Sequence, residues 1–169
     1  MRLTGESGAE SLQVLIRHLE YRSLVGRRDE LGLCLRPDEI LRLRDLEAGL
    51  DSPPPCGSGA APPFLTRARE RRSVFVPLEF RAGGVDREGV ARNVSTGGIF
   101  VSTSHPLRSG ERPSLRLFDD GNEREWRFSA EVVWTRHGPD GGMGLRLLGV
   151  PFEMRLGGHR RHRPLRVAA

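Results

Sequence analysis

The chain of 169 residues contains no lysine, and all 27 of its basic residues are arginine. That excludes a phosphate-cradling loop ending in lysine. The bias itself fits a GC-rich coding sequence and carries no chemistry. Cysteine is almost missing. Cys34 and Cys56 are the only two, which make neither a disulfide framework nor a zinc site. Cys34 stands between Leu33 and Leu35, where a small buried apolar residue is expected. No run approaches the roughly 18 apolar residues of a membrane span. The start, Met1-Arg2-Leu3, soon meets Glu6 and Glu10 and lacks the apolar stretch of a signal peptide. A soluble, cytoplasmic protein is expected, with no transmembrane segment. Motifs of catalysis are also lacking. His18, His105, His137, His159 and His162 are scattered over a helix, turns and the tail, without metal spacing, and read as solvated or turn residues. No nucleophile elbow is present. The expectation is a protein that is not an enzyme, with no catalytic residue, no metal and no cofactor.

Breakers are plentiful, with 21 Gly and 12 Pro. The net charge of +5 is unevenly placed. Residues 1–50 carry 8 Arg against 9 acids, and residues 73–150 carry 10 against 10. The excess sits at Arg67, Arg69, Arg71 and Arg72, and again at Arg155, Arg160, Arg161, Arg163 and Arg166. A nucleic-acid binder more often shows a basic stripe along one recognition element. The neutral body argues against nucleic acid as a partner.

Residues 9–24 have helical periodicity, with Leu12, Leu15, Ile16 and Leu19 on one stripe. A break is expected from Gly26 to Gly32. A second helix begins at Pro37-Asp38-Glu39, with Pro in the first turn and acids at the positive end of the dipole. Its stripe is Ile40, Leu43, Leu46 and Leu50. The two make a helical hairpin over residues 1–50. Residues 51–66 hold five prolines and read as a linker, so hairpin and barrel are expected to be separate units.

Beyond the linker the period becomes two. Val74, Val76, Leu78 and Phe80 alternate with outward residues, and Gly83-Gly84 makes a turn. Further strands are expected over residues 89–94, 98–102, 114–118, 126–135 and 144–148. Six short strands with turn chemistry between them read as a mainly β fold, a six-stranded antiparallel barrel over residues 67–150. Residues 151–169 read as a basic tail, poor in helix formers, with residues 155–169 disordered. Trp126 and Trp134 pack in or on the barrel.

One run can carry binding chemistry. In Asn93-Val94-Ser95-Thr96-Gly97-Gly98, Asn93 and Ser95 offer an amide and a hydroxyl to the edge of a base. Gly97 and Gly98 permit close approach of a ligand and unusual backbone angles. Arg67, Arg71 and Arg72 can pair with phosphates or stack on purines. An ordinary hairpin turn uses the same residue types as Asn93–Gly98 for their turn propensity.

The whole arrangement resembles the PilZ domain family, six-stranded bacterial barrels associated with recognition of cyclic di-GMP. The resemblance rests on the arginine-rich lead-in before Val76-Pro77-Leu78, on Asn93–Val101, on Glu131-Val132-Val133-Trp134 and on Gly142-Met143-Gly144-Leu145. The last three blocks look particularly like those of myxobacterial PilZ-like domains. It implies a ligand motif of two parts, Arg-x-x-x-Arg and Asp/Asn-x-Ser-x-x-Gly. The second is intact as Asn93, Ser95 and Gly98. In the first, counting back from Val76-Pro77 places Arg71 at the first arginine and Phe75 at the second. Arg67 and Arg71 satisfy the spacing literally, four residues early. Phe75 stacks on a guanine, faces solvent at the rim or packs on the hairpin. Losing one guanidinium implies binding weaker by about one to three powers of ten, which Phe75→Arg should restore. The resemblance implies a second-messenger effector of motility, polarity or surface polysaccharide. The alternative is an adaptor that binds an unidentified protein partner and no nucleotide.

Overall fold

A computed structural model describes residues 5–50 and 71–156. Two helices, α1 (Gly5–Asp29) and α2 (Pro37–Leu50), precede six strands. These are β1 (Arg72–Ala82), β2 (Val85–Ser95), β3 (Gly98–Ser102), β4 (Ser114–Asp119), β5 (Arg124–Arg136) and β6 (Gly142–Arg155). They close an antiparallel barrel in the order β1-β2-β3-β6-β5-β4. The expected class, a six-stranded antiparallel barrel after a helical hairpin, is the one observed. The period-two pattern explains it. Val74, Val76, Leu78 and Phe80 point inward and join Leu115, Leu117, Val132 and Met143 in one buried cluster. Gly83 and Gly84 both have positive φ, 57° and 82°, and connect β1 to β2 in a tight two-residue turn.

Strand ends differ from the expected ones. β2 begins at Val85, since the turn is only two residues long. β6 continues to Arg155, with Trp126 opposite Glu153 and Arg124 opposite Arg155. Residues 151–155, expected in the tail, are thus strand. Pro151 is tolerated there because the register slips beside it, where Gly149 has φ 59° and the ladder is interrupted. Residues 157–169, the linker 51–66 and Arg67 lie outside the described residues.

Helix α1 is longer than its periodic stripe and runs through Gly26. That glycine does not break the helix. A Cβ on it would stand 2.8 Å from a Val150 methyl, so the bare position lets α1 seat against β6. The turn comes at Gly32, φ 63°, after which the Leu33 amide bonds back to the Arg27 carbonyl at 2.9 Å. Cys34 follows in the extended connection and is exposed, not buried, as are Leu31 and Leu33. On α2, Leu43 and Leu46 pack with Leu24, whereas Ile40 is exposed.

α1 touches both β1 and β6. Those strands stand three places apart in a ring of six, on opposite sides. A helix in contact with both must cross the mouth of the barrel. Leu15 and Leu19, fully buried, belong to the same cluster as the barrel core. Helix α1 therefore contributes to the barrel core, while Leu24, Leu43 and Leu46 form a second cluster between the two helices. No described helix is long and apolar enough to cross a membrane.

Candidate functional site

A cleft of about 500 Å³ opens over β2, β3, β6 and β5, with Arg71, just ahead of β1, at its side. That size suits a small-molecule ligand. Five of the expected site residues, Arg71, Asn93, Ser95, Gly97 and Gly98, line it. Ser95 and Gly98 are the closing pair of the β2–β3 hairpin, and the Ser95 hydroxyl donates to the Gly98 carbonyl at 3.4 Å. Gly98 is bare for a reason other than ligand approach. A Cβ there would collide with the Leu145 carbonyl oxygen, so the missing side chain lets β6 lie close to β3.

Arg71 and Arg72 part company. Side chains alternate across a strand. Arg71 is exposed on the cleft side. Arg72 turns to the hairpin, where its guanidinium donates to the Gly49 carbonyl at 3.0 Å. A cation at the last turn of α2 complements the negative end of the helix dipole. Arg72, expected in the ligand site, is thus an anchor for α2 in the structure.

The opposite wall comes from residues that sequence reasoning left out of the site. Trp134 of β5 and Phe100 of β3 stack with ring centroids 5.3 Å apart and planes 14° from parallel. Both lie beside Gly144, which pairs with Phe100 on one side and Trp134 on the other. Any side chain on Gly144 would strike the Trp134 indole, and one on Gly142 would strike the Phe100 ring. The Gly142-Met143-Gly144 run therefore makes a bare strip over which two aromatic rings lie flat. Alternating glycines opposite aromatics were the available signal. Arg146 completes this wall, ion-paired to Glu131 on the neighbouring strand. The hydrogen bond and charge of Arg146 hold the Glu131 carboxyl below its usual range. Among the described residues, no acidic side chain lines the cleft. Guanidinium groups, aromatic faces, an amide and a hydroxyl in one cleft suit an anionic ligand with aromatic bases.

Phe75 is exposed, and the Arg92 guanidinium carbon lies 4.7 Å over the centre of its ring. Of the placements open to Phe75, the structure has the solvent-facing one, with an arginine on top. His18, expected in solvent, is buried between the helices and β1. Its Nδ1–H donates to the Val14 carbonyl at 2.8 Å. Burial is the main cause that lowers its pKa, with nearby Arg72 acting in the same direction.

The PilZ domain model matches residues 65–162. Among solved structures, the chain is similar to the Bacillus subtilis inhibitor of motility MotI/DgrA, at 21% identity and a TM-score of 0.42, over 50% of this chain and 43% of that one. It is similar to the PilZ domain of YcgR from Escherichia coli, solved with c-di-GMP, at 16% identity and a TM-score of 0.41, over 49% of this chain and 78% of that one. Borreliella burgdorferi PlzA, in complex with c-di-GMP, is 15% identical with a TM-score of 0.38, over 68% of this chain and 43% of its own. The chain thus spans less than half the length of the Bacillus and Borreliella proteins. No curated protein sequence matches it.

Proposed function

The chain belongs to the PilZ domain family, and from that premise we propose that it is a regulatory effector whose cleft binds cyclic di-GMP. The observation that carries this reading is the convergence of Arg71, Asn93, Ser95 and Gly98 on one cleft walled by Trp134 and Phe100. Arg71 meets a phosphate, with Arg146 as the second cation of the cleft. Asn93 and Ser95 meet a guanine edge, and the stacked rings offer a face to a base. Arg72 then couples the site to the hairpin, since it follows Arg71 directly and holds the end of α2. A ligand that orders Arg71 would bias how α2 sits. Motility, polarity or surface polysaccharide are the processes such a cytoplasmic effector would regulate. The reaction chemistry of an enzyme has no part in this reading.

Calorimetric titration of the whole chain with cyclic di-GMP tests it. Saturable binding is expected, weakened about tenfold or more by Arg71→Ala or Asn93→Ala, each of which removes a polar contact to the ligand. Absence of saturable binding by the native chain would overturn the reading. The adaptor alternative draws on a specific feature, the exposed Leu31, Leu33, Ile40 and Leu41 around the α1–α2 connection. It would then be favoured, with an unidentified protein as partner.

A further inference from the structure

We infer that Arg92 supplies the cleft with the guanidinium that β1 lacks at Phe75, an inference that rests on the cyclic di-GMP reading above. The register carries it. Ala91 lies opposite Val101, and Asn93 lies opposite Phe100, so Arg92 is an extra residue in β2. Toward β1 the ladder also slips. Ser73 faces Asn93 and Val76 faces Ala91, which leaves Val74 and Phe75 against Arg92 alone. A bulge breaks the alternation of faces. Ala91 and Val94 are buried, while Arg92 is exposed and Asn93 is half-buried. In a regular strand Arg92 and Asn93 would point to opposite sides of the wall. Here both look outward.

Ser73 and Phe75 of β1 are exposed, as is Arg71 just ahead of the strand, and Ser73 stands opposite the cleft-lining Asn93. The Phe75 ring lies beneath the Arg92 guanidinium and holds it there. Stacking uses the face of the cation and leaves its in-plane N–H groups open. The Arg92 guanidinium has no ion pair or hydrogen bond among the described residues. Five donors in a fixed fork, next to Asn93 and on the side where Arg71 stands, suit the acceptor oxygens of a dinucleotide phosphate or guanine. Phe75 is then a rest for a relocated arginine, and the deficit implied by the family pattern is largely made good.

Titration with cyclic di-GMP of Arg92→Ala, Phe75→Arg and the double variant tests this. Arg92→Gln serves as a second variant that keeps the side-chain stem, and Arg44→Ala on α2 as a control for lost charge. Melting temperatures confirm that each is folded. Arg92→Ala and Arg92→Gln should weaken binding about ten- to a hundredfold, and Arg44→Ala less than about threefold. Phe75→Arg should change little in the native background but recover about tenfold in the Arg92→Ala background, because either arginine then fills the one role. If Arg92→Ala binds like Arg44→Ala while Arg71→Ala loses the ligand, the inference falls and the ligand reading stands. If Phe75→Arg strengthens native binding by tenfold or more, the place is vacant and the inference falls as well. If the native chain does not bind, both fall.

Discussion

Gly98 and Gly144 both lie where a Cβ has no room, yet the neighbour in the way differs, and so do the expected consequences. At Gly98 the obstacle is the backbone of β6, which cannot swing aside. Gly98→Ala should force β3 from β6 and cost about 1–3 kcal/mol, seen as a fall of several degrees in the melting temperature. At Gly144 the obstacle is the Trp134 ring. Gly144→Ala should turn that ring out and break its stack with Phe100. The fluorescence of Trp134 should change, ligand affinity should fall, and stability should move less than for Gly98→Ala. His18 gives a pH dependence. Its folded pKa lies below the ordinary 6.5, so the unfolded chain binds the proton more readily. The stability it contributes is present above pH 6.5 and is lost as pH falls through the lowered value. Melting curves should show that decline, and His18→Leu should flatten it. Asn93, Ser95, Gly98 and Arg71 were legible because their spacing is local. Trp134, Phe100 and Arg146 were not, since only the β3–β6–β5 pairing brings them to the cleft. Arg72 was misplaced because neighbouring arginines on a strand face opposite ways, and the phase is set by the inward valines that follow. Arg92 escaped notice because a bulge has no signature in alternating sequence.

Among the elements, the strands were the plainest in the sequence, since inward Val, Leu and Phe mark every second residue of β1. The helices were harder. Gly26 looked like a break, and only the nearness of Val150 explains a glycine inside α1. Glu39 is one of the ties between the helices. It accepts from the Arg27 guanidinium at 2.7 Å and from the Arg36 backbone amide at 2.9 Å. The second bond satisfies an amide at the start of α2, as the distal half of a capping box does. The Arg27 hydrogen bond, then the Arg36 amide, lower the Glu39 carboxyl from 4.5 to about 2. Its contribution is present above pH 4.5 and is lost as pH falls through about 2. Glu39→Gln should therefore destabilise the neutral-pH protein by about 1 kcal/mol. In urea titrations the gap between variant and native chain should shrink as pH drops below 4.5.

For the whole molecule, the placing of α1 across the barrel mouth decides how it unfolds. Leu15→Ala removes a fully buried side chain from the common cluster and should cost about 2–5 kcal/mol. The loss should appear in a single transition, with helix and barrel signals melting together. A chain without residues 1–50 should bind an apolar dye, because the lining that meets Leu15 and Leu19 is then uncovered. The ring itself is uneven. β5 and β6 are paired along nearly their full lengths, from Arg124–Arg155 to Arg136–Gly142. β1 and β4 meet only at Glu79–Arg81 against Ser114–Arg116, where Arg116 and Glu79 form an ion pair at 2.7 Å. A closed ring has no free edge, but its lifetime is that of its shortest joint. Amide hydrogens along this seam should exchange with deuterium well before those of β5 and β6, and Glu79→Gln should quicken them. Each opening briefly turns the barrel into a curled sheet with two bare margins. The interval between openings, more than the size of the core, then sets how often the chain offers a strand edge to its neighbours.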